Sequence, residues 1–151
     1  MRRREIDRDV DRQRRVREFL GAEPERKVLE FPSDNEFSVP PASRYEETQQ
    51  IHADLIGRID IQFHHTERLV DTRIEVDGEI VVPSRDSDAD WITKHMSIHS
   101  VPLMLRLHEM LEDRARGGIG RADVKVVTRN RDSEFEHVTP VQVIYYRVRG
   151  D

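Results

Sequence analysis

The chain contains no cysteine, which excludes disulfide staples, thiolate metal sites and thiol redox chemistry and leaves histidine and carboxylate as its metal ligands. It has no apolar stretch near the roughly 20 residues that span a bilayer. Its opening, MRRREIDRDVDRQRRVREFL, has no apolar run of the signal-peptide kind, and the acidic residues in it argue against an organellar transit sequence. Nor does it carry an excess of positive charge. Its 25 Lys and Arg against 30 Asp and Glu leave a formal charge of −5, with a pI near 5.8, so there is no global field to attract DNA, RNA or an anionic membrane. These absences describe a protein expected to be cytoplasmic or within an assembled particle, neither secreted nor transmembrane. No internal repeat or low-complexity tract is visible.

What is present divides into three parts. Hydrophobic and charged residues each make up 36% of the 151 residues, a polar balance that leaves part of the chain outside a compact core. Residues 1–20 place Ile6, Val10, Val16 and Leu20 along one narrow side of a helical wheel, with Arg4, Arg8, Arg12 and Arg15 opposite. Eight Arg against five acids give this segment +3, too little for strong nucleic-acid binding. It reads as a charged N-terminal helix or arm. Residues 21–50 contain Pro24, Pro32, Pro40 and Pro41 and no sustained alternation, the pattern of an extended linker. Two apolar clusters interrupt it, Val28, Leu29 and Phe31, then Phe37 and Val39, and are candidate anchors for a partner.

Residues 51–151 carry the folded signals. LIGRIDIQFHH and ERLVDTRIEV alternate apolar and polar side chains, as half-buried strands do, and their adjacency predicts an antiparallel pair. Asp77-Gly78 is the dipeptide of a two-residue type I′ hairpin into EIVVP. That turn sets Val76 against Glu79 and Ile74 against Val81, leaving Ile80 and Val82 on the outer face. A helix is expected over 90–116, capped by Ser87, Asp88 or Asp90 and stopped at Gly117-Gly118, with a kink at Pro102 where the ring crowds the carbonyl of Ile98. ADVKVVTRN and TPVQVIYYRVRG add two strands. The expectation is an α+β domain, a five-stranded mainly antiparallel sheet in the order β-β-β-α-β-β with one long kinked helix packed on it.

No motif fixes a chemistry. His95 and His99 have the i,i+4 spacing that places two imidazoles on one metal ion, but the glutamate of HExxH is missing and no third ligand is set by spacing; they are weak candidates. Asp86, Asp88 and Asp90 open like a calcium loop, which Trp91 and Ser97 then break where glycine and glutamate are required. GGIG has neither Walker nor dinucleotide spacing. Tyr145, Tyr146, Arg147 and Arg149 mix basic and aromatic side chains, yet neighbouring strand residues face opposite ways. There is no Gly-x-Ser-x-Gly turn. The reading is a non-enzymatic assembly or adaptor protein without cofactor, which oligomerises or docks on another protein of a larger assembly, such as a virion or tail. It would do so through the N-terminal arm and the helix surface, where Leu105 and His108 are the interface candidates. A histidine-based metalloenzyme using His95 and His99 is the alternative of a different class, and a nucleic-acid-binding regulator is a third.

Overall fold

The structure, a computed structural model, describes residues 25–34, 36–53, 55–84, 88–93, 97–114 and 120–148. Its elements run β1 (Glu25–Phe31), β2 (Arg44–Ala53), β3 (Leu55–Phe63), β4 (Val70–Val76), β5 (Glu79–Val82), β6 (Ile98–His99), α1 (Val101–Arg114), β7 (Gly120–Asn130) and β8 (Val141–Val148). The α+β class holds, with two sheets in place of the expected single five-stranded one. The first sheet is ordered β1-β8-β3-β6 and the second β2-β7-β4-β5, and every pairing is antiparallel.

Sequence neighbours β3 and β4 therefore do not pair. The connection between them crosses from one sheet to the other, and each finds its partners elsewhere: β3 lies between β8 and β6, β4 between β7 and β5. The alternation holds in part: Ile59, Ile61, Val70, Thr72, Ile74 and Val76 are buried, but so are Asp71 and Glu75 on the other side of β4 and Ile56 at the β3 register shift, and Phe63 is only half-buried. Periodicity specifies a face but not the strand on either side of it.

The apolar faces of both sheets and of α1 form one cluster, with Ile51, Ile56, Ile61, Ile74, Leu103, Leu107, Val124 and Val143 fully buried in it. Each such side chain contributes roughly 1.5–3 kcal/mol on burial. Along one side the sheets meet directly. Gln49 of β2 donates to the carbonyl of Glu30 in β1, and Arg147 of β8 donates to that of His52. On the other side α1 lies against β3 of one sheet and β7, β5 and β4 of the other, filling the space between them.

Residues expected to be linker are partly strand. β1 lies in the first half of the 21–50 segment, β2 takes its end from Arg44, and the expected domain boundary at 51 falls inside β2. The prolines end strands here without interrupting any: Pro32 follows β1, and Pro40-Pro41 precede β2. The charged arm expected over 1–20 lies outside the described residues.

Two local devices also differ from expectation. Among the described residues, the helix expected over 90–116 is α1, and it starts where a kink was expected. Ser100 caps it, its Oγ accepting from the Leu103 N–H at 3.3 Å, so Pro102 stands in the first turn, where the missing donor is unused anyway. The capping role assigned to Asp88 and Asp90 goes to Ser100; Ser87, Asp86 and Gly117-Gly118 lie outside the described residues. At the hairpin, Asp77 (φ 46) and Gly78 (φ +87) take the left-handed conformations of a type I′ turn and Val76 opposes Glu79, but Ile74 opposes Val82 and not Val81. The register shift is a bulge, and it turns Val81 and Val82 both into the core at 3% exposure.

Candidate binding site at the loop end of the sheets

One end of the molecule is built from the β3–β4 connection, the β7–β8 connection and the segment before β2. Its centre is Asn130, the last residue of β7, which is 1% exposed. Its Nδ2 donates to the carbonyls of Val39 (3.1 Å), Pro40 (3.2 Å) and Phe135 (3.0 Å), and its Oδ1 accepts from the Asp132 N–H at 2.9 Å. Asp132 continues the network: Oδ1 accepts from the backbone of Glu134 and Phe135, and Oδ2 lies 2.9 Å from His137 Nε2. The Glu134 N–H and the His137 ring hold the Asp132 carboxyl below the usual carboxylate range. His137 Nδ1 in turn lies 3.1 Å from Glu67 Oε2, and the His137 backbone forms a two-way bridge with Val39. Ala42 at φ 52 is held in that left-handed conformation while its N–H donates to Asp132.

The loop is thus pinned on both sides of Phe135, whose ring is nevertheless 64% exposed. Leu69 and Val138, on the same two connections, are also exposed.

Beside this loop, β4 and β7 pair so that Asp71 faces Arg129. The Asp71 side chain is 0% exposed. Its Oδ2 receives Arg129 Nε at 3.0 Å, Arg129 Nη2 at 2.6 Å and Arg131 Nε at 2.8 Å, while Oδ1 is buried with no donor among the described residues. Arg131 is further fixed by donating Nη2 to the Arg68 carbonyl at 3.1 Å. Arg68, Asp71, Arg129 and Arg131, with Thr66, Glu67 and Thr93, line an open cleft of about 590 Å³.

Trp91 braces the cleft from the other side. Ile92 exchanges two backbone hydrogen bonds with Thr72, at 2.9 and 2.8 Å, and extends the edge of the sheet beside β4. Its neighbour Trp91 then lies among the outward arginines, with ring-centroid distances of 4.3 Å to Arg129, 4.5 Å to Arg73 and 5.5 Å to Arg44. Each contact is attractive by the ring quadrupole. Arg129 is held between an aromatic face and a carboxylate.

The candidates named from sequence fall elsewhere. Val28, Leu29 and Phe31 are in β1, the first two half-buried and Phe31 at 2% exposure. Phe37 is half-buried and packs on Tyr45 at 4.5 Å between ring centroids, and Val39 is fully buried; Phe31 and Val39 thus belong to the domain's own interior. Leu105 is 56% exposed and His108 half-buried. His99 is in β6 opposite Asp60, and His95 lies outside the described residues, among which no group of three His, Asp or Glu is placed to hold a metal ion. Asp71, Arg129, Arg131, Trp91 and Phe135 were not singled out. Arg129 and Arg131 read as one polar strand face, and only the β4–β7 register brings Asp71 to them.

No family model, no curated protein and no solved structure matches the chain.

Proposed function

We propose that this is a non-enzymatic docking domain that assembles with further copies of itself within a larger structure. The observation that carries the reading is Phe135. Holding a loop with six side-chain to backbone bonds beneath a ring left in water removes the entropy cost of ordering the backbone that carries the ring, which is how a binding anchor is prepared. A second apolar patch lies on α1, where Val101 and Leu105 are 45% and 56% exposed. Arg106 of the same helix pairs with Glu79 at 2.9 Å, which sets α1 toward the β4–β5 hairpin and away from the loop end. Two unlike patches on one chain suit a head-to-tail contact, the kind that closes into rings or extends into filaments. The N-terminal arm, with its thin apolar seam, is a further contact element in this reading.

The test is light-scattering mass determination on wild type, Phe135→Asp and Leu105→Glu, with circular dichroism on each. The wild type is expected above its 17.8 kDa chain mass at micromolar concentration, and both variants at the chain mass with unchanged spectra. A wild-type chain of monomer mass throughout that range removes self-association as the function.

A further inference from the structure

We propose that the cleft of Arg68, Asp71, Arg129 and Arg131 is a binding site for a phosphate group that carries its own O–H, which Asp71 Oδ1 accepts. Two features of the cleft point in opposite directions until the ligand is specified. Three guanidinium groups against two carboxylates, buried Asp71 and the half-buried Glu67 that faces His137, leave the lining positive by one charge, so it favours an anion. Yet Asp71, which lines the cleft, carries a buried acceptor oxygen with no donor among the described residues, and an anion that offers only acceptors is repelled there. Sulfate and ionised carboxylates are anions of that kind. A phosphate that retains a proton offers oxygens to the arginines and a hydroxyl to Asp71, and so meets both demands with one group.

The arginines are prepared for this. A guanidinium has five N–H donors in a fixed plane. Among the described residues Arg129 spends two of them on Asp71, and Arg131 spends one on the Arg68 carbonyl while pairing by charge with Asp71 at 2.8 Å, which leaves at least three on each. Trp91 at 4.3 Å holds the plane of Arg129. Arg68 is exposed, and its side chain has no ion pair or hydrogen bond among the described residues. It is the arm free to close on a bound anion. The cleft, at about 590 Å³, exceeds what a phosphate ion fills and has room for the organic part of a monoester. The site shares no lining residue with the assembly contacts on Phe135 and α1.

The experiment is calorimetric titration of the full chain at pH 6, where inorganic phosphate is protonated and a monoester, with its second pKa near 6, keeps its O–H on about half of its molecules. Inorganic phosphate, phenyl phosphate and sulfate are compared. Both phosphates are expected to bind at one site per chain and sulfate about tenfold or more weaker, the margin of one hydrogen bond to a charged group. Tighter binding of phenyl phosphate assigns the site to esters and tighter inorganic phosphate assigns it to the free ion. Arg68→Ala is expected to weaken phosphate by about tenfold without moving the unfolding temperature, because its backbone carbonyl still accepts from Arg131. Asp71→Asn is expected to abolish the discrimination between phosphate and sulfate. Equal binding of sulfate and phosphate to the wild type, no binding of phosphate at millimolar concentration, or indifference to Arg68→Ala overturns the proposal, whether or not the Asp71 variant folds.

Discussion

Glu47 on β2 and Asp71 on β4, two carboxylates of one sheet, are satisfied in opposite ways. Glu47, on the inward side of β2, is closed. Its Oε1 accepts from Ser33 Oγ at 2.7 Å and Tyr45 OH at 3.0 Å, its Oε2 accepts from Gln49 Nε2 at 2.9 Å, and the Ser33 N–H is shared between both oxygens. All these donors are neutral. Asp71 on β4 takes two charged N–H groups of Arg129 and the Arg131 ion pair on one oxygen and, among the described residues, no donor on the other. Neutral, complete and locally connected bonding is what a structural group needs; charged and incomplete bonding beside a cleft is what a site leaves for a ligand. The more buried of the two, Asp71, is the less satisfied.

Truncation should separate them, and the larger effect belongs to the less buried residue. Glu47→Ala takes an acceptor from the part-buried Tyr45 hydroxyl and one of two from Gln49, while the exposed Ser33 turns to water, and should cost about 2–3 kcal/mol in chemical denaturation. The pH dependence identifies the charge. Burial works to raise the Glu47 pKa, but the bonds from Ser33, Gln49 and Tyr45 outweigh it and hold the carboxyl below its usual value; the Tyr45 hydroxyl, buried against that anion, is pushed up to about 12. A carboxyl depressed in the folded state stabilises above its unfolded pKa, near 4.3, and that stabilisation is lost as pH falls through the lower folded value. Glu47→Gln should therefore be less stable than wild type at pH 7, with the gap closing below about pH 4. A gap that stays constant with pH would mean that shape, not charge, makes Glu47 matter.

The same residue explains why half of the architecture was hidden in the sequence. β3, β4, β7 and β8 announce themselves because their inward residues are apolar: Ile59 and Ile61, Ile74 and Val76, Val124 and Val126, Val143. The inward series of β2 is Tyr45, Glu47, Gln49 and Ile51, so an alternation of hydrophobicity does not exist there to be read. Its polar interior works only because Ser33 and Glu30 of the β1 side supply the partners, a contact 14 to 19 residues away in sequence. Asp77-Gly78 was legible because its constraint is wholly local. Pro102 was legible as a disturbance but not as a helix start, since that depends on Ser100 and on the chain before it pairing as β6. The cleft was not legible at all: Asp71 and Arg129 are separated by 58 residues, and adjacency favoured the wrong strand pair.

Asp71→Ala sharpens the comparison from the other side. It removes a fully buried charge, but the guanidiniums it abandons are 41% and 42% exposed and can hydrate, and an unmet oxygen disappears with it. The cost should be about 1–2 kcal/mol, well below that of a pair buried on both sides. A loss above that of Glu47→Ala would make Asp71 a structural keystone and dissolve the contrast.

The smallest effect concerns Trp91, and it tests whether the cleft is held in place from outside. Arg129 touches Asp71 on one side and the Trp91 ring on the other, whereas Arg73 has both the ring and Glu75, at 3.1 Å, as partners. Trp91→Leu keeps an apolar side chain and deletes the ring quadrupole, so about 0.5–1 kcal/mol should be lost, the range for a partly exposed cation–π contact. If the ring chiefly positions Arg129, the loss should shrink in an Arg129→Ala background and persist in an Arg73→Ala background. A double-mutant cycle followed by circular dichroism measures both couplings. Equal coupling to the two arginines would mean that Trp91 merely covers the outer face of β7. A coupling confined to Arg129 makes it the back wall of the cleft, holding one guanidinium plane against Asp71.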